Sequence, residues 1–230
     1  GQSVHWQGRG YEGSVEKPTW LAANIIRMQS TRDANTVEHF HSKIDYHQEA
    51  MADPYHSPKL IDSIINVQNN AEIKDSVMSC EWQSPDPWWP TMEAEMYAAA
   101  TGYPMTAEEL YDAAYRSKLL MRAILIRNHG RNRRMEIEQV WRVMSIPDSW
   151  NEVADWQQWN EMVDLVYDAR GFDRETGWPY RETYEKYGLK DVADEMEQLG
   201  LLPQHPETPW HEYGEPPYVP FVENRKREAE

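Results

Sequence analysis

Apolar side chains recur at every third or fourth position through most of the chain after residue 57, a spacing that predicts amphipathic α-helices. The first stripe begins behind Ser57 and Pro58, which fit the N-cap and the first helical position. Its leading members are Leu60, Ile61, Ile64 and Ile65. We expect this helix to end near Asn69 or Asn70, because two consecutive asparagines favour a turn.

A longer stripe begins at Thr106 and Glu109, whose spacing matches a capping box. It runs to about Asn128, and His129 and Gly130 end it. Further helices are expected at Met135–Met144, Trp150–Ala169, Arg181–Tyr187 and Val192–Leu199, the last three followed by Gly171, Gly188 and Gly200. Glycine is common after a helix because it adopts the left-handed conformation at little cost. No stretch alternates like a strand beyond a few residues, so the predicted fold class is mostly α.

Three segments of the chain differ in composition. Residues 1–57 are rich in Gly, His, Asn and Asp with weak periodicity, which indicates loops joining short helices that pack on an upstream domain. Residues 58–202 carry the helical stripes and form the predicted helical domain. Residues 203–230 are dense in proline with aromatic residues between, which is typical of an extended, Pro-rich tail on a neighbouring surface.

A stiff loop is expected behind the first helical stripe. Pro85, Pro87 and Pro90 each remove a backbone donor and restrict the preceding residue, so the segment SPDPWWPTM does not continue as regular helix. The two tryptophans between these prolines are displayed on the loop, close in sequence to Cys80.

The composition favours a globular chain. Hydrophobic residues make up 40% of the 230 positions, and 11 Trp and 13 Tyr stand against 3 Phe. Trp and Tyr bury a large apolar body while keeping one polar group, which suits the walls of pockets and subunit contacts. The formal net charge of −16 opposes contact with a phosphate backbone, so nucleic acid is not an expected partner.

The sequence also lacks features of membrane or secreted proteins. No apolar run approaches the roughly 20 residues that a membrane-spanning helix needs. The first residues lack the basic start and the apolar stretch of a secretion signal. We expect a cytoplasmic protein in a reducing compartment. The chain does not start with methionine, and we expect it to be the later part of a longer polypeptide.

Cys80 is the only cysteine in the sequence. A single cysteine forms no intrachain disulfide, and one thiolate does not complete a zinc or iron–sulfur site without ligands from elsewhere. Two interpretations follow from the residues alone. Either Cys80 is an inert, buried small hydrophobe, or its partners lie outside this chain.

The later part of the chain contains a long ordered string, YDARGFDRETGWPYRETYEKYGLKDVADEMEQLGLL. It resembles the end of the aldehyde:ferredoxin oxidoreductase family, whose last domains close with a helix, a Y-x-x-R-G-W-D-like step, a G-x-P turn and a G-L-x-D-V-A-like helix. The matching residues are Tyr167, Arg170, Gly171, Asp173, Gly177, Pro179, Gly188, Leu189, Asp191, Val192 and Ala193. Phe172 stands where tryptophan is common. The resemblance covers roughly residues 60–202 and implies the multi-helix late domains of such an enzyme.

Enzymes of this family carry a tungsten-bis-pterin (molybdopterin) centre and a [4Fe–4S] cluster. Their late domains have a D-x-x-G-L-C segment, whose Asp contacts a pterin and whose Cys is the last cluster ligand. Asp75 and Cys80 keep that spacing, while Met78 and Ser79 replace its Gly and Leu. The resemblance implies that Asp75 binds a pterin and that Cys80 ligates iron. It also implies that an upstream portion or a companion chain carries the remaining cluster ligands.

Histidine is the residue type with which members of this family donate a proton or contact the substrate near the metal. The segment VEHFHSK offers His39 and His41 as candidate catalytic residues. A solvent-facing polar cluster is the alternative interpretation of the same segment.

The segment RNHGRNRRMEIE is the strongest basic cluster in this acidic chain. Arg131 and Arg133 are candidates to bind phosphate groups of a pterin cofactor or of a coenzyme A thioester, because guanidinium forks match phosphate oxygens. The alternative is that the arginines of this cluster pair with Glu136, Glu138 and other acids at the helix junction.

The resemblance implies a low-potential, two-electron oxidation or reduction of a small molecule, an aldehyde or carboxylate. A ferredoxin or an electron-transfer subunit would exchange the electrons, and an anaerobic setting follows from the oxygen sensitivity of these cofactors. A second possibility is the tungsten subunit of an aromatic acyl-CoA reductase of the benzoyl-CoA type. A third is a cofactor-free helical interaction module, which predicts a buried Cys80 without a metal neighbour and an Asp75 that caps a helix.

Overall fold

The computed structural model describes residues 18–29, 53–79, 90–144 and 153–203, and these ranges contain eight helices. They are α1 Pro18–Gln29, α2 Pro58–Ser76, α3 Thr91–Thr101, α4 Ala107–His129, α5 Arg133–Met144, α6 Trp156–Arg170, α7 Arg181–Lys186 and α8 Lys190–Gln198. Within the described ranges no strand forms, and one isolated antiparallel bridge joins Phe172 to Pro179. The predicted mostly α fold class is confirmed. The predicted tail lies outside the described residues from position 204 onward.

The ends of α4 follow the sequence prediction. Thr106 Oγ1 accepts a hydrogen bond from Glu109 N at 3.1 Å, and Glu109 Oε2 accepts one from Thr106 N at 2.8 Å, which completes the capping box. At the other end Gly130 adopts φ +62°. The start of α6 was predicted too early. Asp155 is its N-cap, and its side chain accepts from Gln158 N at 2.9 Å.

Helix α2 continues through the two asparagines that were expected to end it. Asn69 and Asn70 are buried inside the helix, which ends at Ser76. Arg170 Nη1 donates to Asn69 Oδ1 at 3.0 Å. This bond from α6 satisfies the side-chain amide of Asn69, which would otherwise hydrogen-bond to its own backbone and favour a turn. A tertiary contact therefore overrides the local turn preference. Helix α3 was not predicted, because the helix starts directly behind Pro90 and includes the end of the proline-rich segment.

Helix α2 lies at the centre of the fold, where it packs against α1, α4 and α6. The shared apolar core includes Leu60, Ile64, Val67, Ile25, Leu119 and Val163. Trp159 is fully buried in this core, and its Nε1 donates to Leu21 O at 3.4 Å. Residues 18–29 of the loop-rich first segment therefore belong to the same core as the helical domain. A smaller apolar cluster, Ile73, Ala94, Leu110 and Ala114, holds the end of α2 against α3 and α4.

The turn after α6 requires glycine. Gly177 adopts φ +69°, and a Cβ atom there would lie 2.9 Å from both Arg122 Nη2 and Tyr167 Oη. The Asp173 carboxylate shapes the same turn, since its Oδ2 accepts from Thr176 N at 2.8 Å and from Thr176 Oγ1 at 2.6 Å. This part of the C-terminal string thus serves the fold. No helix among the described residues is long and apolar enough to cross a membrane.

Candidate functional site

The candidate cofactor segment starts where α2 ends. Asp75 is the penultimate residue of α2 and is exposed. Ser79 N donates to Lys74 O at 2.9 Å, and Met78 N donates to Asp75 O at 3.3 Å. These two bonds form a Schellman motif, which satisfies the last carbonyls of the helix and turns the chain away from its axis. Cys80 follows directly but lies outside the described residues, so its role as an iron ligand stays a prediction.

Met78 occupies the left-handed position of this motif. Its φ is +56°, and it is the one non-glycine residue with positive φ among the described residues. This is the position at which the resembling D-x-x-G-L-C segment has glycine. The backbone therefore keeps a glycine-type conformation although the residue is methionine. The Met78 side chain is 92% exposed, so burial within this chain does not repay the conformational strain.

Replacement of Met78 by glycine should stabilise the protein by up to about 1 kcal/mol, since glycine adopts positive φ without a Cβ clash. The free energy of unfolding of the assembled protein, from denaturant titration, measures the effect. Gly130→Ala is the reverse control. Gly130 also follows a helix at φ +62°, and nothing lies within 4 Å of the Cβ that alanine would add. Loss of stability in Met78→Gly would show that the side chain makes a contact outside this chain.

A buried ion pair fixes both ends of the segment that contains Cys80. Lys74 Nζ, in α2, pairs with Glu93 Oε1, in α3, and their side chains are 2% and 6% exposed. The pair joins the two helices that flank residues 77–90. Sequence reasoning missed it, although Lys74 continues the apolar stripe of α2 behind Val67 and Ala71. A lysine on an apolar stripe indicates a buried partner, because a lysine ammonium is almost never buried unpaired.

The Ser79 hydroxyl is a further feature of this segment. Its oxygen is buried and finds no hydrogen-bond partner in the part of the chain that the structure describes. Buried hydroxyls without a partner are uncommon and indicate an unfilled interaction. Ser79 directly precedes Cys80 in the sequence.

Arg131 belongs to a buried network around Glu136. Glu136 Oε1 accepts from Arg131 Nε and from Arg122 Nη1, both at 2.8 Å, and Glu136 Oε2 accepts from Tyr167 Oη at 2.6 Å. Burial opposes the charge of this carboxylate, but the guanidinium groups of Arg122 and Arg131 outweigh it and hold the pKa of Glu136 below its usual range. Arg131 also donates to Met28 O. This geometry matches the alternative in which the arginine cluster pairs internally.

Arg133 is likewise bonded within the fold. It is buried, and its guanidinium pairs with Asp164 and donates to Arg174 O at 2.7 Å and to Asn160 O at 3.2 Å. Burial raises the pKa of Asp164, although the neighbouring Arg133 opposes that shift. Nearby, Arg134 pairs with Glu138 on the surface at 2.9 Å. Phosphate binding by Arg131 and Arg133 stays a prediction, and the structure accounts for both residues as parts of the fold.

The predicted catalytic histidines, His39 and His41, lie outside the described residues. Among the residues that are described, no group of three or more His, Cys, Asp and Glu side chains is placed to hold a metal ion. Of the predicted site residues, the structure therefore describes Asp75, Arg131 and Arg133. Asp75 lies at the end of α2, and the two arginines lie much later in the sequence.

An open cleft of about 360 Å³ lies between α2, α4, α6 and α7. Tyr111, Tyr115 and Tyr187 are among the residues that line it. The rings of Tyr115 and Tyr187 meet edge to face at 4.5 Å, and Tyr115 Oη donates to Arg170 O at 2.7 Å. The volume falls within the range of small-molecule pockets, and its walls include planar rings.

Comparisons with known proteins agree with this fold. A model of the family described as aldehyde ferredoxin oxidoreductase, domains 2 and 3, matches residues 19–189. The fold is also similar to a chain of the "Active site complex BamBC of Benzoyl Coenzyme A reductase in complex with 1,5 Dienoyl-CoA", with a TM-score of 0.56 and 23% sequence identity. That match covers 77% of this chain and 26% of the other, and at this identity it shows a common fold. The family match spans more than half of the sequence, and the chain belongs to the aldehyde ferredoxin oxidoreductase family.

Proposed function

We propose that this chain is part of an oxidoreductase that exchanges two electrons at low potential with an aldehyde or carboxylate and passes them singly to a ferredoxin-type partner. One observation carries the proposal. The turn behind α2 has a left-handed backbone at Met78, where the family's D-x-x-G-L-C segment has glycine, and Asp75 is exposed ahead of Cys80. A strained backbone at an exposed position is typical of functional sites, where it is retained against its cost in stability.

The residues of this turn fit the family's cofactors chemically. A tungsten-bis-pterin centre would supply the two-electron chemistry, and a [4Fe–4S] cluster would pass single electrons. The Asp75 carboxylate is an acceptor that matches the amino and ring N–H donors of a pterin edge. Cys80 would hold iron as a thiolate. The Ser79 hydroxyl would donate a hydrogen bond to a sulfur atom there, which is one of the factors that set a cluster's reduction potential.

The position of Asp75 does not suit the role of a helix N-cap. An aspartate that caps a helix acts at the N-terminal end, whereas Asp75 lies in the last turn of α2. A carboxylate there meets the negative end of the helix dipole, which is unfavourable. This position therefore does not provide the helix cap that the cofactor-free interaction module predicts.

Replacement of Asp75 by asparagine tests the proposed role of this carboxylate. We expect the pterin content of the assembled protein, measured after anaerobic purification, to fall several-fold, because the amide presents a donor to pterin donors. The free energy of unfolding should change by less than about 1 kcal/mol, as for other exposed positions. Asp62→Asn is the matched control, since Asp62 is exposed on the same helix and should leave pterin content unchanged. Full pterin content in Asp75→Asn would contradict the proposal.

A second candidate is an aromatic acyl-CoA reductase, with this chain in the tungsten subunit. The fold likeness to the benzoyl coenzyme A reductase complex and the tyrosine-lined cleft support it. Turnover assays of the assembled protein with a viologen dye separate the two candidates. Aldehyde oxidation without reduction of an aromatic acyl-CoA supports the first, and the opposite result supports the second. Activity with neither substrate class would count against both.

We also propose partner proteins and a cellular setting for this chain. Since the chain matches only 26% of the similar solved chain, an upstream portion or a companion chain would carry the remaining cluster ligands. An electron-transfer subunit or ferredoxin would accept the electrons. We propose an anaerobic, cytoplasmic setting, because low-potential clusters of this kind react with oxygen.

A further inference from the structure

The tyrosine-lined cleft between α2, α4, α6 and α7 has walls that suit an extended segment of chain. Tyr111 and Tyr187 line it, and both side chains are only partly buried. Ile65 adds apolar surface to the same cleft. Tyr115 is buried and contacts the Tyr187 ring edge to face, which holds that ring in place. Grooves with aromatic walls bind proline-rich segments in the polyproline II conformation.

The rim of the cleft has hydrogen-bond donors that the fold does not use. Within the described part of the chain, Tyr187 Oη makes no hydrogen bond. Lys186 Nζ lies 5.2 Å from the centroid of the Tyr187 ring and has no carboxylate partner among the described residues. Asp168 and Glu182 also line the cleft, and Asp168 is paired with Arg174. Unused donors beside aromatic rings suit a ligand that presents mainly acceptors.

The C-terminal tail contains a segment with that chemistry. Residues 216–222, PPYVPFV, carry no charge and lie between Glu215 and Glu223. Polyproline II has three residues per turn and no internal hydrogen bonds, so Pro217 and Pro220 fall on one face and the carbonyl groups are available. Proline also lacks a backbone donor. A run this apolar in an acidic chain indicates a contact surface. The segment lies outside the described residues.

The tail is long enough to reach the cleft of its own chain. It follows α8, which packs on α7 and on α4. Pro203 lies at most about 40 Å from Tyr187, because the chain between them runs through α8 at roughly 1.5 Å per residue and through short turns. In the polyproline II conformation the chain from Pro203 to Pro217 spans about 43 Å. Residues 216–222 therefore reach the cleft in any direction of the tail.

We propose that residues 216–222 dock as a polyproline II segment in the tyrosine-lined cleft of the same chain. The two prolines on one face of the segment pack against the rings of Tyr111 and Tyr187. Its carbonyl groups accept hydrogen bonds from Tyr187 Oη. Because the tail is tethered beside the cleft, its effective concentration exceeds that of a free partner. The docked segment covers the cleft, and a small molecule has to displace it in order to bind there. The inference does not depend on the proposed redox function.

Photo-cross-linking in the assembled protein tests this contact directly. With p-benzoyl-phenylalanine in place of Tyr218, illumination should join the tail to residues that line the cleft, and mass spectrometry identifies the joined peptides. The cross-linked product should keep the mass of a single chain, because the contact is made within one chain.

Two pairs of proline replacements show whether the docked segment is the predicted one. Pro217→Ala with Pro220→Ala should lower the yield of this cross-link at least about fivefold, because both ring contacts and the preformed conformation are lost. Pro206→Ala with Pro209→Ala is the matched control, since these prolines have the same spacing in the same tail, and it should keep the yield.

A peptide experiment tests the cleft independently. A fluorescent peptide of residues 214–223, GEPPYVPFVE, should bind to protein that ends at Pro203 and at least about tenfold more weakly to the full chain, whose own tail competes. In the shortened protein, Tyr187→Leu should weaken binding of the peptide, whereas Tyr103→Leu, at an exposed position outside the cleft, should not. A cross-link to another chain or away from the cleft, equal yields in the two proline variants, or equal binding of the peptide to both proteins would each overturn the proposal.

Discussion

Replacement of Glu136 by glutamine is expected to cost about 3–5 kcal/mol of folding free energy, because it leaves buried guanidinium groups without a counter-charge. Glu136 is fully buried and accepts hydrogen bonds from Arg122, Arg131 and Tyr167. The amide turns a donor toward these donors and removes the one negative charge of the network. Total stabilities are about 5–15 kcal/mol, so this single change brings a domain close to unfolding. Denaturant titration of the assembled protein measures the loss.

Glu138→Gln is the matched control in the same helix. Glu138 pairs with Arg134 on the surface, where the two side chains are 49% and 53% exposed, and such pairs contribute about 0–1 kcal/mol. Equal losses in the two variants would contradict the account of the buried network.

The Glu136 network also has an expected pH dependence. The pKa of Glu136 is held below its usual range in the folded protein. Its charge therefore stabilises the fold above the ordinary glutamate pKa of about 4.3, and this contribution is lost as the pH falls through the lower folded pKa. The stabilities of the wild type and of Glu136→Gln should converge as the pH falls through this range. A difference that stays constant with pH would show that packing, and not charge, is responsible.

The second large effect is expected at the Lys74–Glu93 pair. Glu93→Gln removes the carboxylate that bonds to the buried Lys74 ammonium, and loss of one partner of a buried pair costs about 3–5 kcal/mol. Because the pair joins α2 to α3 on either side of residues 77–90, we also expect lower iron content in the assembled protein. Unfolding titration and iron analysis of the same preparations measure both effects.

Two variants separate charge from position at this pair. Glu95 is exposed in the same helix, so Glu95→Gln should change stability by less than about 0.5 kcal/mol. The double replacement Lys74→Met with Glu93→Leu should recover most of the lost stability, since an apolar pair of similar volume often matches a buried ion pair. A stable Glu93→Gln protein with full iron content would contradict the proposed role of this ion pair in joining the two helices that flank residues 77–90.

The helices that could be predicted from the sequence are those with local signals. The capping box at Thr106 and the glycines behind α4 and α6 mark helix ends by short-range chemistry, and these ends agree with the structure. The predicted helix ends are wrong where a residue distant in sequence determines the local structure. The bond from Arg170 carries α2 past Asn69, and no local pattern reveals an interaction across so many residues.

The candidate site shows the same division. The spacing of Asp75 and Cys80 is readable as a motif, and the structure adds the left-handed Met78 and the buried Ser79 hydroxyl between them. The arginine cluster was open to two interpretations, because sequence alone does not tell an arginine that bonds to a buried carboxylate from one that faces a ligand. Burial of Glu136 favours the structural role for Arg131.

The redox assignment is tested most directly at Cys80. The measurement is tungsten and acid-labile sulfide content, with an electron paramagnetic resonance spectrum after dithionite reduction, on the anaerobically purified natural assembly. Tungsten together with a reduced-cluster signal that changes in Cys80→Ser, but persists in Ser79→Ala, is the expected result. A metal-free assembly without a signal, or a signal that is identical in Cys80→Ser, would contradict the account and favour a cofactor-free helical module.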